Sequence, residues 1–194
     1  MPISINGSGT ITGLSAGGLP DGSIITADLA DDAVTATKIG TKTFVSYAVI
    51  CDQKTASTQG GTFSAGAWRT RDLNTEIFDP DGIVSISSNQ FTLSSAGTYL
   101  IEWSCPAMRS NYNMARLYDV TGAAVVQDGQ GAFSDTGADG DQSNSNGWAR
   151  VTIASSNTYR IEHRCQTGES TRGFGIANGF GVEIYAVVAI YKEA

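Results

Sequence analysis

The sequence predicts an all-β fold, a sandwich or barrel of short strands, preceded by an extended N-terminal segment. Three observations predict it. Gly is abundant at 23 of 194 residues, and Val, Ile, Thr, Tyr and Phe are spread along the chain, while helical runs of Ala, Leu, Glu and Lys are missing. Apolar and polar residues alternate with a period of two in the middle of the chain, as in strands with one buried and one wet face. Turn signals punctuate the alternating runs at short intervals. Hydrophobic residues at 41 % allow a core, and 194 residues suffice for one domain plus an appendage.

Composition changes near Thr43. Residues 1–43 hold Gly, Ser, Thr, Asp and Ala with no aromatic residue, so they cannot bury enough surface alone to offset their ordering entropy. They are disordered or ordered by something else, and Ile11, Leu14, Leu19, Ile24, Ile25 and Leu29 are the apolar side chains a docking partner would grip. Ile25 to Ala30 is echoed by Val34 to Gly40, a weak two-unit repeat of roughly nine or ten residues. A short helix around Thr26 to Val34 is the alternative to an extended course. The domains are therefore 1–43, an extended docking segment, and 44–194, the head.

In the head, Phe44 to Asp52 predicts the first strand and Gln59-Gly60-Gly61 a loop. Thr62 to Thr70, with Phe63 and Trp68, predicts the next strand. Asp79-Pro80-Asp81-Gly82 predicts a turn, because Pro presets its φ and Gly accepts a positive one. Ile83 to Ser87 and Gln90 to Leu93 follow, and Ser95-Ala96-Gly97 turns into Thr98 to Cys105. Asn113 to Tyr118 and Ala123 to Gln127 precede a long Gly/Asp/Ser/Asn loop from Asp128 to Gly147. Trp148 to Ile153, Thr158 to Cys165 and Val182 to Tyr191 complete about nine or ten strands. Tyr99, Ile101, Trp103 and Cys105 share one face, as do Tyr159, Ile161, His163 and Cys165.

The first and last strands are apolar on both faces. Val45, Tyr47, Val49 and Cys51 oppose Phe44, Ala48 and Ile50, and Tyr185, Val187, Ala189 and Tyr191 oppose Val182, Ile184, Ala186, Val188 and Ile190. One face fills the core, and the second needs another partner. Tyr47, Val49, Tyr185, Val187 and Tyr191 are the residues expected to meet further copies of the chain, with a covering loop of the same chain as the alternative.

Asn89-Gln90-Phe91-Thr92-Leu93-Ser94-Ser95-Ala96-Gly97-Thr98-Tyr99-Leu100-Ile101-Glu102-Trp103 resembles the central strands of the tumour necrosis factor and complement globular-head family. Gly179-Phe180-Gly181-Val182-Glu183-Ile184-Tyr185, leading into a hydrophobic last strand, is similar as well. This resemblance implies a jelly-roll β-sandwich and a homotrimer with the first and last strands on the inner sheet. Gly17-Gly18-Leu19-Pro20-Asp21-Gly22-Ser23-Ile24 and the stretch Asp28 to Ile39 look like segments of tail fibres and other surface proteins of tailed phages. That second resemblance implies a virion surface protein assembled in the host cytoplasm and attached through residues 1–43 to a tail or major capsid protein. The chain lacks the long shaft of a full tail fibre, which keeps a capsid decoration or head-fibre protein as the alternative.

Little in the chain points to catalysis. Gly13-Leu14-Ser15-Ala16-Gly17 has the letters of a nucleophile elbow, but that chemistry needs a strand before the Ser, a helix after it and a downstream His. The single histidine, His163, lies on an apolar strand face. A glycan-processing enzyme would need facing carboxylates about 5 to 10 Å apart, and Glu76, Glu102, Glu162 and Glu169 show no such pairing in the sequence. His163 with Cys165, Cys51 and Cys105 offers zinc-type ligands, but the close Cys pairs of structural zinc sites are missing, and a core histidine among buried thiols is the plainer reading. Asp128, Asp135, Asp139 and Asp141 have donors suited to calcium, without EF-hand spacing; no other cofactor is expected. Net charge is −7 with no basic cluster, against a nucleic-acid partner. No stretch approaches the roughly 18 apolar residues of a membrane span, and Met1 to Gly9 does not read as a secretory signal.

Recognition is expected on loops carried by the rigid sandwich. Phe133, Arg172, Phe174 and Asn178 are candidate contacts to a host-surface glycan, since aromatic rings stack on sugars and Arg and Asn bond their polar edges. Phe174 and Phe180 packing back into the head is the alternative. The expectation is a non-enzymatic, trimeric virion appendage whose head attaches to the host.

Overall fold

The computed structural model describes residues 43–137 and 140–194. They form eleven strands and, among the described residues, no helix. The strands are β1 (Phe44–Lys54), β2 (Arg69–Thr70), β3 (Thr75–Phe78), β4 (Val84–Ser87), β5 (Gln90–Leu93), β6 (Gly97–Met108), β7 (Asn111–Asp119), β8 (Ala124–Ser134), β9 (Gln142–Ile153), β10 (Asn157–Cys165) and β11 (Glu183–Glu193). One sheet runs β3-β1-β11-β6-β9 and the other β4-β5-β10-β7-β8, with β2 pairing β10. The named pairings are all antiparallel. The chain changes sheet at β1–β2, β2–β3, β3–β4, β5–β6, β6–β7, β8–β9, β9–β10 and β10–β11. That winding is the jelly roll that the resemblance of residues 89–103 and 179–185 implies.

The alternating strands take the faces expected of them. Tyr99, Ile101, Trp103 and Cys105 of β6 are buried against Tyr159 and Ile161 of β10, with Ile50, Phe91, Leu93, Leu117, Val188 and Ile190 in the same cluster. Each such side chain contributes roughly 1.5–3 kcal/mol on leaving water. Asp79 ends the turn before β4 by accepting hydrogen bonds from the Ile83 and Val84 amides, both at 2.9 Å, and Gly82 takes φ 61° there.

Several elements depart from the sequence reading. Thr62 to Thr70 is no strand: it contributes only β2 and an isolated bridge from Phe63 to Glu169. The run 59–63 instead pairs with the distant loop 169–175, Gly60 N to Gly175 O at 2.9 Å and Phe63 N to Glu169 O at 2.8 Å. The strand β3 is absent from the sequence reading. The loop expected over Asp128 to Gly147 is mostly strand, since β8 runs to Ser134 and β9 starts at Gln142. Packing explains it. Trp103 lies opposite Gly147 in the β6–β9 register, and a Cβ on Gly147 would come within 2.1 Å of the indole. One on Gly129 would meet Ala115 O at 2.7 Å. The small residues of these strands make room for Trp103, and the Ser145 hydroxyl accepts from the Ala115 amide at 2.8 Å and donates to Gln130 O at 2.6 Å. The first of these bonds satisfies an amide at the β7–β8 register shift.

Candidate functional site

Two surfaces stand out. The first is the outward face of the β3-β1-β11-β6-β9 sheet. In register across it lie Tyr47, Tyr191, Leu100 and Arg150, then Val49, Ala189, Glu102 and Trp148. Tyr47 stacks on Phe78 at 4.6 Å between ring centroids and lies 6.4 Å from Tyr191, which in turn meets Phe44 at 5.2 Å. Trp148 is 60 % exposed and Ile77 53 %, and Phe44, Val45, Tyr47, Phe78 and Ile184 are exposed too. Arg150 and Glu193 pair at 2.7 Å within this field. So wide an exposed apolar surface normally marks an interface.

Of the residues expected on that face, Tyr47, Val49, Val187 and Tyr191 are on it. Tyr185 is not. A register shift between Cys51 and Gln53, opposite Val187 and Ile184, inverts the alternation at the start of β11. Ile184 thereby turns outward, and Tyr185 is buried with its hydroxyl donating to Thr58 O at 2.6 Å. Ile50, Cys51 and Asp52 are buried in succession; Cys51, opposite Val187 in register, is covered where Tyr47 is exposed. Burial pushes the Tyr185 phenol up to about 12, with Glu183 and Asp52 adding to the effect.

The second surface is an open trough of about 950 Å³ on the outward side of β10, β7 and β8. Its lining includes Trp68, Tyr112, Met114, Gly131, Phe133 and Arg164. Tyr112 and Phe133 are cross-strand neighbours, edge to face at 5.2 Å, and are 69 % and 50 % exposed. Met114 lies opposite Gly131, which carries no side chain to fill the floor, and a Cβ there would meet nothing within 4 Å. The Arg116 guanidinium sits 3.7 Å from the Trp68 ring centroid. Arg116 and Arg160 both pair with Glu162, at 2.7 and 2.5 Å. Arg164 is exposed, and among the described residues no carboxylate pairs with it.

Of the expected glycan contacts, only Phe133 lines this trough. Phe174 is a correction: it is buried, 4.8 Å from Phe63, beneath the guanidinium of Arg71 at 4.0 Å. Arg172 reaches Glu169 at 4.0 Å, and Asn178 accepts the Phe180 amide at 2.8 Å within its own loop. The structure does not gather these residues into one site. Arg71, which sequence reasoning missed, is fully buried and donates to Pro106 O and Phe174 O, each at 3.0 Å. It fastens the 168–181 loop to the sandwich. Nothing in the local pattern Thr70-Arg71-Asp72 signals that role.

Cys51, Cys105 and Cys165 are free and buried, and burial raises Cys105 and Cys165 to about 11. Asp128 lies on β8 opposite Arg116, while Asp135 accepts the Gly137 amide and Asp141 the Asp135 amide in the turn. Asp139 lies outside the described residues. So do Ile11, Leu14, Leu19, Ile24, Ile25 and Leu29, the Ser15 pattern, the repeat and the short helix expected near Thr26.

His163 is buried, its Nε2 3.0 Å from Asn113 Oδ1 and its ring 4.6 Å from that of Phe63. Burial, aided by the Arg71 guanidinium, holds it well below the ordinary imidazole value. The unfolded chain therefore binds a proton near pH 6.5 that the folded chain refuses, so stability is full above that pH and falls below it. Asp52 acts oppositely at lower pH, because burial raises its carboxyl against the pull of Lys54. Urea denaturation from pH 7.5 to 5 should show stability falling by up to about 1.4 kcal/mol per pH unit below pH 6.5. His163→Gln should flatten that slope, and an unchanged slope would assign the proton to another group.

Compared with known proteins, the chain matches no family model and none of the curated proteins. Among solved structures it is similar to the globular domain of zebrafish complement 1qA protein, with a TM-score of 0.48 and 15 % identity over 75 % of this chain and 95 % of that one. It is similar also to murine APRIL at pH 8.0, with a TM-score of 0.47 and 5 % identity over 76 % of this chain and 98 % of that one.

Proposed function

We propose that this chain is a non-enzymatic virion appendage: a three-copy jelly-roll head joined to the particle by residues 1–43 and attaching it to a host surface. The apolar outward face of the first sheet carries the reading. Tyr47, Phe78, Tyr191 and Trp148 have no purpose in water, and packing them against sibling copies removes them from it. The second sheet is then left facing outward, available to the host. Support for three copies comes from the likeness of 89–103 and 179–185 to the trimeric tumour necrosis factor and complement heads. Support for the virion comes from the likeness of residues 17–24 and 28–39 to phage fibre segments. The single histidine, buried against Asn113, serves packing in this reading.

Light scattering on the purified chain tests the assembly, with three times the chain mass of 20.3 kDa expected. A stable single chain at micromolar concentration sinks it, and a pair of chains sinks the threefold arrangement. Mass spectrometry of purified particles tests the virion placement, which fails if the chain is missing from them.

A further inference from the structure

We infer that the trough over Gly131 is a binding site for an acidic saccharide, a pyranose chain bearing carboxylates. The inference rests on the reading just given, in which the second sheet faces outward, and it names the ligand class and the residues.

Three features of the trough select that ligand. The first is its walls. Trp68, Tyr112 and Phe133 border one depression, and the last two hold each other edge to face while standing largely in water. A core does not need them there. Aromatic faces carry negative potential and receive the weakly positive C–H faces of a pyranose, a contact that an extended polar chain cannot make as well. The second is the floor. At Gly131 the strand carries no side chain opposite Met114, although the backbone there is ordinary strand that accepts any residue and a Cβ would clash with nothing. The cleft thus stays open at a position where filling it is sterically free.

The third feature is charge. The chain carries −7 overall, and the neighbouring cations Arg116 and Arg160 are both committed to Glu162. Arg164, next along β10 and opposite Met114, stands at the trough without a carboxylate partner among the described residues. A guanidinium presents a planar fork that fits a carboxylate in two parallel hydrogen bonds. Ring faces for the sugar and a free fork for its carboxylate are complementary to a uronate or sialate unit, and a neutral glycan would leave the fork unused. At about 950 Å³ the trough is at the upper end of the roughly 300–1,000 Å³ usual for small-ligand sites, room for more than one ring.

The test uses the full chain and a panel of oligosaccharides containing glucuronate, galacturonate or sialate, each with a neutral counterpart, in calorimetric titrations. We expect at least one acidic member to bind below millimolar and its neutral counterpart about ten-fold more weakly. Arg164→Gln should bring the acidic ligand down to the neutral level, and Gly131→Ile should abolish binding of both while leaving the thermal midpoint near that of the parent. No binding by any acidic member overturns the site. Equal binding of acidic and neutral ligands, untouched by Arg164→Gln, overturns the acidic class. Binding that survives Gly131→Ile places the ligand elsewhere. If Gly131→Ile changes the solution mass, the trough is a contact between copies and the saccharide site is wrong. Self-association is read separately by light scattering, so a single chain that still binds the acidic saccharide sinks the assembly reading and leaves the site standing.

Discussion

Tyr191→Glu should turn the proposed three-copy assembly into single folded chains. Tyr191 sits in the middle of the apolar sheet face, 6.4 Å from Tyr47 and 5.2 Å from Phe44, and beside Leu100 on β6. In a single chain the residue is half-buried, so a carboxylate there can turn to water, and the fold should lose no more than about 1 kcal/mol. In the proposed assembly the carboxylate would be desolvated and face its own copies. An unpaired buried charge costs several kcal/mol, so association should weaken by about a thousandfold or more. Sedimentation across a concentration series reads the mass, and urea denaturation reads the fold. Tyr112→Glu, on the opposite sheet, should leave the mass unchanged. If the two variants behave alike, the first sheet is not the contact.

Gly147→Ala should cost about 3 kcal/mol or more, a large share of the margin of a domain of this size. The added methyl falls 2.1 Å from the Trp103 ring and 2.4 Å from its next atom. Trp103 is 3 % exposed inside the main cluster and has no room to withdraw. The clash, not the glycine's backbone freedom, sets the penalty, because the φ of Gly147 is not positive. A double-mutant cycle separates the two causes. In a Trp103→Leu background the same Gly147→Ala change should cost less by about 2 kcal/mol. Equal costs in both backgrounds would show that strand propensity, and not contact with the indole, limits the position.

These two positions also show how much of the molecule could be read from its residues. The alternation of Tyr99, Ile101, Trp103 and Cys105, and of Tyr159, Ile161, His163 and Cys165, identifies inward faces because a strand with one wet face has no other period. Tyr47, Val49, Val187 and Tyr191 identify the apolar outer face for the same reason. Gly129, Gly131, Ser143, Asn144, Ser145, Asn146 and Gly147 read as loop, since local propensity cannot know that an indole from β6 requires small partners. Tyr185 was misplaced because one register shift reverses the parity of every residue before it in β11. Phe174 is misplaced and Arg71 missed for a related reason: their partners, Phe63, Pro106 and the 59–63 run, are distant in sequence and share no period with them. Of the trough, sequence reasoning singled out Phe133 as a contact; Tyr112, Arg164 and Gly131 converge only through cross-strand register.

The pairing of β1 with β11 also sets where cargo can be attached. Phe44 pairs with Glu193 at one end of the sandwich, and Lys54 with Glu183 at the other. A fluorophore or affinity tag fused after Ala194 would therefore emerge beside Phe44. Payload meant for the far tip belongs in the connections at 55–58 or 178–182. Phe180, 96 % exposed, identifies the second of these as a free vertex for grafting.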